Sequence, residues 1–175
     1  SRRIVEVLGE VGRYDSPGAL VDDVEDRLFA VNRELVQLVA DRDGVRVGST
    51  VIVLLAFSRW ALCIWAGDSR AYRLRGDRLE LLTRDHSQVE EMIARGHLQR
   101  EDAASHPLAN VITRAVGGGE RLELDLELQE LADGDRYLLC SDGLLKDLDE
   151  ARIAELLRGG DCESACDRLM EAALA

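Results

Sequence analysis

Two aspartates stand directly after apolar runs that have the length of a β-strand. Asp68 follows Leu62–Ala66, and Asp142 follows Tyr137–Cys140. A carboxylate at the end of a buried strand loses its hydration, which costs about several kcal/mol unless a cation, a hydrogen bond or water compensates. Mg²⁺ and Mn²⁺ suit such a position because they prefer carboxylate oxygens and retained waters. A divalent ion held in this way can activate water for phosphoester hydrolysis.

Each aspartate also has a simpler interpretation. Gly67-Asp68 and Asp142-Gly143 are pairs of glycine and aspartate, and such pairs commonly begin turns. Taken alone, each motif favours a turn, so the hypothesis of a metal site depends on the other motifs of the chain.

The periodicity of apolar residues predicts the elements that position the two aspartates. A first helix is indicated by apolar residues at helical spacing, Ile4, Val5, Leu8 and Val11. Ser16-Pro17 marks the start of a second, long helix, in which apolar residues recur at steps of three and four from Leu20 to Leu38. The cluster Asp41–Gly44 breaks this pattern.

A run of strands follows, and helices end the chain. The predicted strands are Thr50–Phe57, Ala61–Ala66, the hairpin Ala71–Arg75 with Leu79–Leu82, Leu122–Leu128 and Tyr137–Ser141. Amphipathic helices are predicted at Ile153–Leu157 and Ala165–Leu174. Since helices, strands and helices follow one another without alternating βαβ order, we expect an α+β layered sandwich.

Length and composition restrict the class of protein. The chain has 175 residues, of which 46% are hydrophobic and 32% charged, as is typical of one compact domain. Its net charge of −12 opposes nucleic acid and anionic lipid as principal partners. The longest apolar run, Thr50–Phe57, is far shorter than the roughly 20 residues of a membrane span. Because the chain begins at Ser1 without methionine, we expect a fragment.

The four cysteines indicate no disulfide framework. Cys63 and Cys140 lie in apolar strands, where cysteine behaves as a small buried hydrophobic residue. Cys162 and Cys166 are four residues apart on a predicted helix, but no second pair completes a zinc set. This usage is typical of a reduced, cytoplasmic protein.

Several short motifs occur in a definite order along the chain. They are Gly48-Ser49-Thr50, Ala66-Gly67-Asp68-Ser69-Arg70-Ala71-Tyr72, Leu82-Thr83-Arg84-Asp85-His86-Ser87, His106-Pro107, Asn110-Val111-Ile112-Thr113-Arg114-Ala115-Val116-Gly117, Gly134-Asp135 and Leu139-Cys140-Ser141-Asp142-Gly143-Leu144. This succession resembles the metal-dependent, type 2C serine/threonine protein phosphatases, especially their bacterial branch, over nearly the whole chain.

The resemblance implies an α-β-β-α sandwich with Mn²⁺ or Mg²⁺ at one end. Such an enzyme hydrolyses phosphoserine or phosphothreonine in a protein substrate with a metal-activated water, and it opposes a serine/threonine kinase. Asp142 matches the Ser-Asp-Gly aspartate, a ligand of the metal centre. Asp68 matches the Gly-Asp-Ser-Arg aspartate, which is associated with a weaker metal site. The segment from about 86 to 112 matches the flap beside the active site.

The resemblance leaves the role of His106 open between two interpretations. Its side chain touches the substrate, or the residue anchors the flap by a backbone hydrogen bond. Thr113 and Arg114 are expected to brace this segment, and His86 is expected to be structural.

The chain also departs from the family pattern. An Asp-Gly-Met-Gly-Gly segment expected before Ser1 and a Gly-Gly-Asp-Asn segment expected after Ala175 do not occur in it. We therefore expect a phosphatase-like domain over 1–175 that is incomplete at both ends and binds metal weakly. The alternatives are a catalytically inactive phosphatase-fold module with a binding or regulatory role, and a phosphatase dedicated to one regulatory switch protein.

Overall fold

Two helices begin the chain in the computed structural model, which describes residues 1–40 and 47–175. The predicted break at Asp41–Gly44 lies outside the described residues. Helix α1 spans Arg2–Leu8 and α2 spans Pro17–Ala40. The Ser16 hydroxyl accepts a hydrogen bond from the Ala19 amide at 3.2 Å, as in a helix N-cap. Both predicted helices are confirmed, but α1 ends at Leu8, before Val11 of the predicted pattern.

Within the described residues, six strands form two three-stranded antiparallel sheets. The strands are β1 Val51–Phe57, β2 Trp60–Ala66, β3 Arg70–Arg75, β4 Arg78–Leu81, β5 Asp125–Glu130 and β6 Arg136–Cys140. The first sheet has the order β1-β2-β5 and the second has the order β4-β3-β6. The predicted hairpin is confirmed as β3 and β4. The alternating run predicted from Leu122 enters the sheet only at Asp125.

Helices cover the outer face of each sheet. Val24, Leu28 and Val31 of α2 are fully buried in one core with Val51 and Ile64 of the first sheet. On the second sheet, Leu74 packs with residues of α5, Glu150–Leu157, and α6, Cys162–Ala173. Full burial of one such aliphatic side chain contributes about 1.5–3 kcal/mol, so both interfaces stabilise the layers. The predicted α-β-β-α sandwich is confirmed.

The space between the two sheets is less apolar. Its buried hydrophobic cluster consists of Cys63, Trp65 and Ala71. Burial raises the pKa of the Cys63 thiol to about 12, as expected for an inert structural cysteine. Nearby, Arg73 of the second sheet donates a 2.8 Å hydrogen bond to Gln129 of the first. Polar side chains therefore link the sheets.

Between β4 and β5 the chain leaves both sheets. This segment holds α3, Gln88–Ala94, and a 3₁₀ helix, Arg100–Ser105. The two ends of this segment meet at an isolated antiparallel bridge between Ser87 and Ile112. Among the helices of the described residues, none combines the length and the apolar character that a bilayer span requires.

Candidate metal centre

The fold brings Asp68 and Asp142 to the same end of the sandwich. Strands β3 and β6 are antiparallel neighbours in which Arg70 pairs with Cys140. Asp68 lies two residues before Arg70, and Asp142 lies two residues after Cys140. Because paired strands run in opposite directions, the residues that precede one partner and follow the other leave the sheet at one edge. The two aspartates thus approach each other across 74 residues of sequence.

The Asp68 carboxylate lies in an unfavourable electrostatic environment. Burial raises its pKa, and the nearby negative charges of Asp142 and Asp85 add to the increase. Within residues 1–40 and 47–175, no cationic side chain lies within ion-pair distance of this carboxylate. A divalent cation bound to Asp68 would offset both the cost of burying its charge and its repulsion by the two neighbouring carboxylates.

The other two carboxylates each have a cationic partner. Lys146, on the short helix α4 that spans Leu144–Asp147, lies 2.9 Å from Asp142. Arg70 donates two hydrogen bonds to Asp85, at 2.9 and 2.7 Å. Arg70 thus occupies both carboxylate oxygens of Asp85, whereas Lys146 contacts one oxygen of Asp142 from an exposed side chain.

A glycine is required directly before Asp68. Gly67 has φ +117°, and a Cβ at this position would lie 2.4 Å from Cγ2 of Thr50. The Thr50 hydroxyl also lies 3.0 Å from the Ser69 hydroxyl, so the start of β1 packs against this turn on both sides of Asp68. The turn interpretation of Gly67-Asp68 and the metal interpretation are therefore compatible.

His86 contacts the same turn, which the sequence did not predict. Its Nδ1 accepts a hydrogen bond from the Gly67 amide at 3.1 Å, and its Nε2 lies 3.1 Å from Asp125. Arg114 donates to the other oxygen of Asp125 at 2.7 Å. Burial raises the pKa of Asp125, but the hydrogen bonds with His86 and Arg114 outweigh this and lower it. No motif in the sequence singled out Asp125.

His106 follows the 3₁₀ helix and makes local hydrogen bonds. Its Nδ1 accepts from the Leu108 amide at 3.2 Å, and its own amide donates to the Ala103 carbonyl at 3.2 Å. These contacts lie within the segment 86–112. A contact between His106 and a substrate stays a prediction.

The donor set has the chemistry of a hard-metal site but few ligands. Asp68 and Asp142 provide the carboxylate oxygens that Mg²⁺ and Mn²⁺ prefer. In the part of the chain that the structure describes, no group of three or more His, Cys, Asp and Glu side chains is placed to hold a metal ion. The two aspartates therefore fit as part of a metal centre that needs additional ligands.

Known proteins are similar to this chain in both sequence and fold. The serine/threonine phosphatase stp of Listeria innocua is 35% identical over 129 residues, which cover 73% of this chain and 51% of that protein. The structure of PppA, a key regulatory component of T6SS in Pseudomonas aeruginosa, is 38% identical with a TM-score of 0.90, and the match covers 99% of this chain and 72% of that one. The chain belongs to the bacterial type 2C-like phosphatase family.

Another member of this family has been solved with metal. The catalytic domain of the serine/threonine phosphatase PstP, in complex with two manganese ions, matches with a TM-score of 0.81 at 29% identity, covering 99% of this chain and 73% of that one. No protein-family model matches the chain. The chain spans about half the length of the Listeria phosphatase and 34% of the length of PstP from Mycobacterium tuberculosis.

Proposed function

We propose that the protein carrying this chain hydrolyses phosphoserine and phosphothreonine in protein substrates. The observation that carries the proposal is the approach of two strand-end carboxylates from different parts of the sandwich, with Asp68 lacking a cationic partner within the described residues. Membership of a family of serine/threonine phosphatases supports this choice of substrate. The proposal extends to a cytoplasmic location and to a serine/threonine kinase that adds the phosphate.

Asp142 and Asp68 are the residues of this chain that would hold Mn²⁺ or Mg²⁺. When bound, such an ion supplies Lewis acidity for the phosphoryl oxygens and activates water for attack on phosphorus. The two carboxylates would hold the ion in a defined position, because each follows a strand whose backbone is fixed by pairing within a sheet. Arg70 donates two hydrogen bonds to Asp85 and neutralises its charge, so Asp85 competes less with Asp68 and Asp142 for the cation.

Residues 1–175 form, in this proposal, one phosphatase-like domain whose segment 86–112 is a flap beside the metal centre. The contact between His86 and Gly67 supports this arrangement, because it joins the base of the segment to the turn that carries Asp68. His106 lies near the other end of the segment, where it either contacts substrate or only anchors the flap.

Manganese-dependent hydrolysis of a phosphothreonine peptide by the full-length protein tests the proposal. The Asp142→Asn variant should lose most of this activity because it removes a carboxylate that holds the metal. Asp147→Asn is the matched control: it removes an equal charge from an exposed position five residues further on, at the end of helix α4, and it should leave the activity unchanged.

Two results would contradict the proposal. A folded wild-type protein that binds Mn²⁺ but leaves the peptide intact is not a protein phosphatase for this class of substrate. A folded wild-type protein that neither binds Mn²⁺ nor hydrolyses the peptide favours the alternative of an inactive binding or regulatory module.

A further inference from the structure

His86 holds both peptide groups of Gly67. The Gly67 amide donates to Nδ1 of His86 at 3.1 Å, and the backbone amide of His86 donates to the Gly67 carbonyl at 2.9 Å. The Gly67 carbonyl belongs to the peptide group that leads into Asp68. One residue, 19 positions away in sequence, thus fixes the backbone from which the Asp68 carboxylate projects.

The imidazole ring of His86 is itself fixed in orientation and tautomer. Because Nδ1 accepts a hydrogen bond from the Gly67 amide, the proton of the neutral ring is on Nε2, which donates a hydrogen bond to Asp125 at 3.1 Å. The Trp65 ring stacks on it with centroids 5.9 Å apart and planes 6° from parallel. Arg114 in turn holds Asp125 at 2.7 Å. The ring therefore has little freedom to rotate.

His86 also marks the point where the segment 86–112 leaves and rejoins the sandwich. Its carbonyl accepts from the Thr113 amide at 2.8 Å, and the next residue, Ser87, bridges Ile112. Its ring is thus buried, only 7% exposed, between the Asp68 turn and the base of this segment.

We propose that His86 is a positioning residue that aligns Asp68 for metal binding through Gly67, with Asp125 and Arg114 orienting its ring. The proposal rests on the proposed function, since it gives Asp68 a metal to bind. A purely structural histidine would contribute to stability alone. A positioning histidine must also affect the affinity for Mn²⁺.

The decisive variant is His86→Phe in the full-length protein. Phenylalanine keeps an aromatic ring against Trp65 but has neither nitrogen. We expect the affinity for Mn²⁺ to fall about 10-fold, the lower range for residues that orient metal ligands, in a binding isotherm followed by electron paramagnetic resonance. His86→Asn should recover part of the loss, because its amide oxygen can accept from the Gly67 amide in place of Nδ1.

A control separates positioning from stability. Asn32 is also buried, 2% exposed, and clamps a different loop by accepting from the Gly117 amide and donating to the Gly119 carbonyl. Asn32→Ala should lower the melting temperature but leave the Mn²⁺ affinity of the folded protein unchanged. An equal loss of affinity in Asn32→Ala would overturn the proposal.

A double-mutant cycle tests whether His86 acts through Asp68. The variant that combines His86→Phe with Asp68→Asn should bind Mn²⁺ as weakly as Asp68→Asn alone, because the residue being positioned is gone. Losses that multiply, or a folded His86→Phe protein with wild-type affinity, would overturn the proposal. If His86→Phe does not fold, the test uses Asp125→Ala, which changes a half-exposed residue at the start of β5. An unchanged Mn²⁺ affinity in this variant would overturn the positioning role of His86, and a reduced affinity would support it.

Failure of the two proposals looks different in these measurements. A wild-type protein that binds Mn²⁺ and hydrolyses the phosphothreonine peptide, together with a His86→Phe variant that binds equally well, overturns only the role of His86. A wild-type protein without Mn²⁺ binding overturns both.

Discussion

The two ends of the second sheet place aspartates in opposite electrostatic environments. At one end Asp135 precedes β6, and its carboxylate accepts two hydrogen bonds from Arg75 at 2.7 Å each and one from the Ala132 amide at 2.9 Å. The hydrogen bonds from Arg75 lower the pKa of Asp135. At the other end Asp68 precedes β3, and burial, with the charges of Asp142 and Asp85, raises its pKa.

The difference distinguishes a carboxylate that is paired within the fold from one that is open to a cation. Both residues are aspartates beside a strand end, so residue type and local pattern do not separate them. Asp135 is fully paired and stabilises the fold. Asp68 costs stability because burial and its acidic neighbours disfavour its charge, yet its oxygens remain available to a cation.

The largest loss of stability is expected from a substitution at the end of the second sheet that carries Asp68, where Arg70 neutralises Asp85. Arg70→Met should lower the free energy of unfolding by about 2–3 kcal/mol, because it leaves a carboxylate with 15% exposure without its partner. Urea denaturation of the full-length protein measures this. Arg70→Lys keeps the charge without the two-pronged geometry and should lie between the wild type and Arg70→Met. An unchanged stability in Arg70→Met would mean that Asp85 is solvated rather than paired.

The next effect concerns the paired carboxylate at the opposite end. Asp135→Asn should lower the free energy of unfolding by about 1–2 kcal/mol, because charge-assisted hydrogen bonds from Arg75 are lost at a side chain that is 2% exposed. Asp133→Asn changes an exposed aspartate of the same turn and should have no measurable effect in the same urea titration. Equal effects of the two substitutions would remove the basis of the comparison.

The pH dependence of stability should carry the signature of Asp135. Its pKa is lowered in the folded protein, so its contribution is complete above the unfolded pKa of about 3.9 and is lost as the pH falls through the folded value. The stability difference between wild type and Asp135→Asn should therefore be constant from about pH 7 to about pH 5 and shrink in more acidic buffer. Urea midpoints across this range measure it. A difference that grows on acidification would contradict the assignment.

The smallest effect has the opposite sign. Asp68→Asn should raise the melting temperature, by at most about 2 °C, in the presence of a chelator, because it removes a half-buried carboxylate with acidic neighbours. Differential scanning calorimetry measures the change. A lower melting temperature would show that Asp68 has a stabilising partner. Asp68 and Asp135 would then both be stabilising carboxylates, and the contrast between the two ends of the second sheet would be lost.

The layers of the fold were predicted with fair accuracy from the sequence. Apolar periodicity placed α2 and the strands β1, β2, β3, β4 and β6 within a few residues of their observed bounds. The beginning of β5 was predicted too early, because Leu122 and Leu124 continue the alternation of apolar residues while they pack, outside the strand, into the core between the helices and the first sheet. Periodicity reports burial, and burial against a helix looks the same as burial within a sheet.

The candidate site was predicted only in part. Motif order selected Asp68 and Asp142 as candidates, but it did not reveal that Lys146 pairs with Asp142 and that Asp68 has no cationic partner within the described residues. His86 was expected to be structural, and its link to Gly67 and Asp125 was not predicted. Such contacts join residues far apart in the chain, for which a single sequence carries no local signal.

From the sequence alone one can predict the α+β layering, the strand-end positions of the two aspartates and the resemblance to type 2C phosphatases. These features depend on local periodicity and on short motifs, which are properties of neighbouring residues. The pairing of the carboxylates and the contact of His86 with the Gly67 backbone could be seen only in the folded protein. The antiparallel register of β3 with β6 and the packing of His86 against Trp65 determine those contacts, because charge compensation depends on distances in space rather than on positions along the chain.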